Sequence, residues 1–347
     1  MQLPREVIVG KGTLSRVHET TKRLGLTSSA LILSGPKSWK VAGHAVFKQL
    51  EQEGIAVDSI VIKKATMKDV LAAEDEIREF KPQVLIAVGG GTKIDAAKLS
   101  SAHQGIPFIS VPTALSHDGI ASPLASVRDF DKPYSVMAQA PLAIVADTEI
   151  IAKAPKQSII SGYGDVLAKF TAVRDWQLAH DEKNEYYGEY AAGLALMSAK
   201  LVLENTETIK QRKEEGLRVL FEALVSCGVA MAIAGSSRPC SGSEHMFSHA
   251  LDSMRSNGTM HGEQCGVGTI LMAYLHNANW KRIRDALKRM GAPTTGKELH
   301  TKNEDIVKAL EMAVSVRPER YTILHKLNLS HEACEKVARA TGVIEEG

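Results

Sequence analysis

The segment Val84-Leu85-Ile86-Ala87-Val88 runs without interruption into Gly89-Gly90-Gly91-Thr92-Lys93-Ile94-Asp95-Ala96-Ala97-Lys98. A wholly apolar strand is buried on both faces, and a helical pattern directly after it implies a parallel sheet covered by helices. Three glycines at the junction remove every Cβ from the bend. Backbone N–H groups can then approach a phosphate, and the N-terminus of the new helix adds partial positive charge. The spacing matches neither Gly-x-Gly-x-x-Gly nor Gly-x-x-x-x-Gly-Lys-[Ser/Thr], the dinucleotide and P-loop fingerprints. One glycine would read as a plain turn; three in a row read as an anion site. Ser110-Val111-Pro112-Thr113-Ala114-Leu115-Ser116 follows the next strand and brings hydroxyls to the same sheet edge, where parallel sheets bind ligands.

Further apolar, β-branched runs at 7–9, 30–33, 59–62, 108–111 and 143–145 alternate with helical stretches such as 71–80. After Pro155 the strand signals fade. Ala/Leu/Met-rich helical pattern then runs to the C-terminus, broken at Gly235-Ser236-Ser237-Arg238-Pro239 and Gly291-Ala292-Pro293. The reading is an α/β N-terminal domain with a Rossmann-like parallel sheet, residues 1–157, and an all-α C-terminal domain, residues 158–347. A chain of 347 residues is long enough for two such units. A net charge of only +2 offers no broad basic field, which weighs against nucleic acid as a partner. The longest apolar stretches, 191–203 and 223–234, read as too short and too interrupted to span a bilayer. No secretory pattern opens the chain, and Cys227, Cys240, Cys265 and Cys334 form neither a CxxC pair nor a disulfide framework. A soluble, cytoplasmic protein is expected.

The helical half carries a second chemical signal. Ser243-Glu244-His245-Met246-Phe247-Ser248-His249 puts two imidazoles four residues apart on one helix face. His261 follows after an expected break at Asn257-Gly258, and Asp165 lies upstream in Gly162-Tyr163-Gly164-Asp165. One carboxylate and two imidazoles with a position left open is the ligand set of a catalytic Zn²⁺ or Fe²⁺. Any one of these histidines alone would read as a core or surface residue, and spacing does not bring Asp165 to them. His117-Asp118 is a further candidate pair, with a surface turn as the alternative.

Taken together, GGGTKIDAAK, SVPTALSHDG, GYGDVLAK, the His245/His249 helix and MHGEQ resemble the iron-containing alcohol dehydrogenase and dehydroquinate synthase superfamily. Within it the chain is most similar to the archaeal-type sn-glycerol-1-phosphate dehydrogenases, from REVIVGKG at 5–12 to RPERYTIL at 317–324. The resemblance implies a dehydroquinate synthase-like fold and a metal, usually zinc, held by Asp165, His245 and His261. It implies a phosphorylated three-carbon substrate touched by Asp118, His249 and Asp165. NAD(H) or NADP(H) would lie against the glycine turn (Gly89, Gly90, Gly91, Thr92, Lys93, Ile94, Asp95), against Thr113, Ala114, Leu115 and Ser116, and against Ser122. The implied reaction is metal-dependent reduction of dihydroxyacetone phosphate to sn-glycerol 1-phosphate, for ether-lipid backbones, by a homo-oligomer.

Residue chemistry agrees with that implication. A divalent cation would stabilise the charge that develops on the ketone oxygen, His249 could shuttle a proton, and Asp118 could orient a terminal hydroxyl. Lys169, Arg174 and Arg238 are the candidates for the substrate phosphate. After the strand at 30–33, Ser34-Gly35-Pro36-Lys37 holds no acid to repel a 2′-phosphate, so both cofactors are expected. Alternatives on the same fold are a glycerol dehydrogenase or a dehydroquinate-synthase-like lyase; an Asp where the lyases use a ligating Glu weighs against the latter. A third reading is a non-catalytic nucleotide-binding scaffold. Cys240 and Cys265 are read as small buried apolar residues.

Overall fold

All six apolar runs become strands. The computed structural model describes every residue except Ala65, Phe130, Asp131, 255–257 and 346–347, and leaves out the side chains of 128–135. The break expected at Asn257 therefore lies outside the described residues. In chain order the strands are β1 (Glu6–Gly10), β2 (Ser29–Ser34), β3 (Ala56–Val61), β4 (Val84–Gly89), β5 (Phe108–Pro112), β6 (Leu124–Asp129), β7 (Lys132–Met137) and β8 (Ala143–Asp147). Six of them form one parallel sheet in the order β1-β8-β5-β4-β2-β3. Helices cover both faces, as the apolar runs require. Leu31, Leu33, Leu85, Ala87 and Phe108 point into one core, and Ala30, Ile32, Ile86, Val88 and Ile109 point into the other. Only the two edge strands break the pattern: Val7 on β1 and Val61 on β3 are each more than two-fifths exposed.

The chain leaves β2 for the edge strand β3 and returns on the other side of β2 as β4, then continues outward through β5 and β8. The winding direction therefore reverses between β2 and β4. Open α/β sheets bind ligands in the crevice at such a point, beyond the carboxyl ends of the strands. Gly89–Gly91 closes β4 there, and Ser34-Gly35 closes β2 beside it.

The antiparallel hairpin β6–β7 was not anticipated. Its first strand alternates buried Ala125 and Val127 with more exposed Ser126, the pattern of a half-covered ribbon rather than of a fully buried strand. Among the described residues no strand follows Asp147, and the remainder is helical, in line with the expected fold class.

One expectation needs correction. The apolar stretch at 223–234 belongs to helix Glu214–Ala234, whose 21 residues are long and apolar enough to cross a membrane. Its 18-residue apolar window is half buried, and Leu217, Leu220, Phe221 and Leu224 are in the main core, so its apolar character is explained by packing.

Candidate active site

The carboxyl edge of the sheet faces helices Lys156–Leu167, Ser243–Ser253 and His261–Leu275 across a cavity of about 470 Å³. Thr92, Lys93, Asp95, His117, Asp118 and Ser122 line it from the sheet side; Asp165, His245, His249 and His261 line it from the helical side. The sequence reading had no means of bringing Asp165 to the histidines. Glycine packing does so. A Cβ on Gly164 would run into the carbonyl of Gly262, and one on Gly262 into the carbonyl of Ser161, so the two helices meet backbone to backbone. Asp165 and His261, the neighbours of these glycines, are drawn together as a result.

Asp165, His245, His261 and Cys265 each bring one potential ligand atom to within 4.8 Å of the others. His245 Nε2 is 3.5 Å from Asp165 Oδ1, and its Nδ1 is 2.7 Å from Glu244 Oε1. A carboxylate accepts only, so in the metal-free chain both nitrogens of His245 carry protons, Nδ1 toward Glu244 and Nε2 toward Asp165, and the Nε2 proton is the one a metal would displace. The same logic fixes His261. Ser248 Oγ donates its one proton to Gln264 Oε1 at 2.7 Å and so accepts from His261 Nδ1 at 3.0 Å, leaving Nε2 free. Each ring is thus oriented through Nδ1 by a second residue, which leaves Nε2 as the ligating nitrogen, already unprotonated in His261 and freed in His245 once its proton is displaced. Cys265 is the surplus member: its Sγ is 3.5 Å from His261 Nε2, but burial pushes its thiol pKa up and keeps it a poor ligand.

The electrostatics favour a positive ion. Burial alone would raise Asp165, yet Lys169, then His245 and His261, hold it well below the usual carboxylate range. Burial likewise opposes charge on His245, but Cys265, Asp165 and Glu244 raise it well above an ordinary imidazole. A proton fills a place between carboxylates that a divalent cation could take. His261 is pushed down by burial and by His245 and His249, and stays neutral. His249 stacks on His261 with ring centroids 5.7 Å apart; its buried Nδ1 has no hydrogen-bond partner among the described residues.

Lys169, one turn beyond Asp165, is fully buried and joins the two halves of the site. Its Nζ is 2.8 Å from Asp118 Oδ2 and 3.3 Å from Asp165 Oδ2, and the Asp118 N–H donates to Asp165 Oδ2 at 3.0 Å. Burial works against its charge, but the two carboxylates hold it well above its ordinary pKa. Asp118 also clusters with Cys227 and Cys240. Lys169 already supplies the cation there.

On the sheet side, helix Gly91–Gln104 begins without a side-chain cap, which leaves its first amides open to an anion. A Cβ at Gly91 would overlap the imidazole of His117. His117 thus lies against the glycine turn instead of on a surface loop, and its Nδ1 accepts from Gly119 N–H at 3.0 Å. Asp95 is committed to Lys98, whose buried Nζ lies 3.0 Å from Asp95 Oδ1 and also donates to the carbonyls of Gly119 and Leu124. Ile94 and Leu115 are wholly buried, so their side chains belong to the core and only their backbone could meet a nucleotide. Thr113 N–H donates to the Gly89 carbonyl, and the Ser116 carbonyl accepts from Ser161 Oγ at 2.8 Å, tying this loop to the helical half. Gly90 has open space beside it, and Ser122 Oγ donates to Leu124 O at 3.1 Å.

Of the three cations named for a substrate phosphate, Arg174 is exposed and does not line the cavity. Arg238 is buried against Glu185 and the Tyr321 carbonyl, and Lys169 is neutralised as described. The reading missed Arg317, which does line the cavity.

Residues 8–155 match the iron-containing alcohol dehydrogenase family. Over 344 residues the chain is 51% identical to "Glycerol-1-phosphate dehydrogenase [NAD(P)+]" of Pyrococcus abyssi, covering 99% of both chains. It is 52% identical to the protein of the same name from Methanosarcina mazei, covering 99% of this chain and 96% of that one. Among solved structures, a probable glycerol dehydrogenase from Sinorhizobium meliloti superposes with a TM-score of 0.79 at 18% identity, covering 98% of this chain and 97% of that one. Butanol dehydrogenase A of Thermotoga maritima gives 0.77 at 18% identity, with 98% of each chain covered. These two likenesses establish the shared fold.

Proposed function

The chain belongs to the glycerol-1-phosphate dehydrogenases of the iron-containing alcohol dehydrogenase family, and from that premise we propose that it interconverts dihydroxyacetone phosphate and sn-glycerol 1-phosphate with NAD(P)(H). One observation carries the assignment to this cleft: Asp165, His245 and His261 converge to ligand distance across a cavity from the uncapped glycine turn. Residues 1–157 would carry the nucleotide and 158–347 the metal and substrate, in a cytoplasmic homo-oligomer supplying ether-lipid backbones.

The donor set fits a divalent metal, and we read it as zinc held by Asp165, His245 and His261, with Cys265 kept out by its neutral thiol. When bound, the ion polarises the C2 carbonyl and stabilises the negative charge that hydride delivery places on its oxygen. The rest is done by the chain's own side chains. Among the described residues His249 Nδ1 has no orienting partner of the kind that fixes His245 and His261, so the ring is not held to one tautomer there. It lies near pKa 3 because of burial and the neighbouring His245, Arg317 and Arg320. A neutral imidazole results, able to accept a proton at one nitrogen while donating from the other. Asp118, pinned by Lys169, presents an acceptor to a substrate hydroxyl. Its fixed position costs no reorganisation at the moment of reaction.

Both nicotinamide cofactors are accepted in this reading. The turn after β2 holds no acid, and although Lys37 is exposed, Lys63 and Lys64 line the cavity beyond β3 and can meet a 2′-phosphate. The test is oxidation of NADH and of NADPH with dihydroxyacetone phosphate, before and after chelation and zinc restoration. Activity lost on chelation and regained with zinc supports the proposal. Turnover untouched by chelation contradicts the metal, and a cofactor preference above ~1000-fold contradicts dual use.

A further inference from the structure

RPERYTIL, residues 317–324, is a sequence motif that the site as described leaves without a task. It begins where helix Asn303–Val316 ends, and its first residue, Arg317, forms part of the cavity wall with Ser237 and Ser241. The motif is built in rigidly. Arg320 donates from Nη1 to the Ser241 carbonyl at 2.6 Å and from Nη2 to Ser237 Oγ at 2.8 Å. Ile323 N–H donates to Asp175 Oδ1 at 2.7 Å, and Asp175 Oδ2 accepts from the N–H and hydroxyl of Ser243, at 2.7 and 2.5 Å. Ser243 opens the helix that carries His245 and His249. Arg317 is thereby held in register with the candidate catalytic histidines.

Positive charge is in excess here. Arg238 is paired with Glu185, but among the described residues neither Arg317 nor Arg320 has a carboxylate within ion-pair distance. Burial, reinforced by Arg317 and Arg238, presses Arg320 down to about 9. Burial also lowers Arg317, and the exposed Glu319 offsets only part of the charge. A half-buried guanidinium on the cavity wall, with a second one close enough to feel its charge and no carboxylate paired to either among the described residues, forms a place that an anion would relieve. Ser237 Oγ accepts from Arg320, so its own hydroxyl proton remains to be donated.

We propose that Arg317 grips the phosphate monoester of the substrate, with the Ser237 hydroxyl as a second donor and Arg320 as the positioning residue that holds this wall. The inference rests on the dehydrogenase reading and assigns the group that separates a ketone phosphate from the bare ketone. Arg317 can offer two parallel N–H donors to a phosphate, which a lysine cannot.

The test compares kcat/KM for dihydroxyacetone phosphate and for dihydroxyacetone in wild type and Arg317→Ala. The preference for the phosphate should fall about 100-fold, most of it in KM, the size expected for hydrogen bonds to a charged group. Competition by inorganic phosphate should disappear, and added guanidinium should restore part of the loss. Should the alanine variant fail to fold, Arg317→Lys keeps the charge without the fork, and the preference should drop about tenfold. A preference unchanged in the variants, or one that collapses in Lys64→Ala instead, overturns the inference alone. A wild type that reduces neither ketone overturns the dehydrogenase reading.

Discussion

Lys169 shows what the sequence could not disclose at the scale of a residue. From the sequence Lys169 was one of three candidates for a substrate phosphate, yet it is wholly buried between two carboxylates. Asp165, His245, His249 and His261 could be singled out from helix-face spacing and the family motifs, although only the fold brings Asp165 to the histidines. Ser248 and Arg317 could not, and Lys169 was named for a different task, because the groups each one meets lie elsewhere in the chain. Lys169→Met leaves Asp118 and Asp165 buried without their cation and should destabilise the metal-free protein by about 3–5 kcal/mol in urea unfolding. An unchanged midpoint would remove Lys169 from the account. Acid should act through the buried histidines. His249 sits near 3 in the folded chain against an ordinary 6.5, so the unfolded chain binds more protons between these values and stability rises with pH across that window. The depressed His261 and Asp165 act in the same direction, Asp165 at lower pH. Metal-free protein taken from pH 7 toward 3 should lose stability progressively, and His249→Asn should lose less; equal losses would place His249 in a more polar setting than the one described.

Among the elements, the six sheet strands could be located from the sequence because a strand buried on both faces has no polar positions to blur its signal. The β6–β7 hairpin escaped because the described part of β6 alternates, with Ala125 and Val127 buried and Ser126 exposed between them. Helix Glu214–Ala234 was cut short for a related reason: Glu214, Glu215, Arg218 and Glu222 mark a solvated first half, although Leu217, Leu220 and Phe221 are buried in it. The glycines of GYGDVLAK and MHGEQ, which entered the sequence analysis only as parts of family motifs, set the distance between two helices. Gly262→Ala places a methyl group against the Ser161 carbonyl, an overpacking worth about 1–3 kcal/mol. A lowered melting temperature together with weakened metal retention is the expected result. A variant that melts and binds metal like wild type would show that the two helices can part without disturbing Asp165 and His261.

For the whole molecule, the consequential feature is the placement of two chemistries on opposite walls of one cavity. The sheet half brings the uncapped glycine bend to its switch point; the helical half brings the candidate metal ligands and, on the same cavity, Arg317. Asp118 N–H to Asp165, Ser161 Oγ to the Ser116 carbonyl, and Lys169 Nζ to Asp118 fix the walls together. No sequence spacing encodes these, since each joins residues 45 or more positions apart. The division also separates two kinds of damage, because harm to the cation site should spare the nucleotide site. His261→Ala, assayed for bound metal, for turnover with dihydroxyacetone phosphate and for NADPH binding by fluorescence, addresses this most directly. The account predicts about one zinc per chain in wild type and almost none in the variant, with turnover down at least ~1000-fold and NADPH affinity within about threefold. A variant that keeps its metal and its turnover would contradict it.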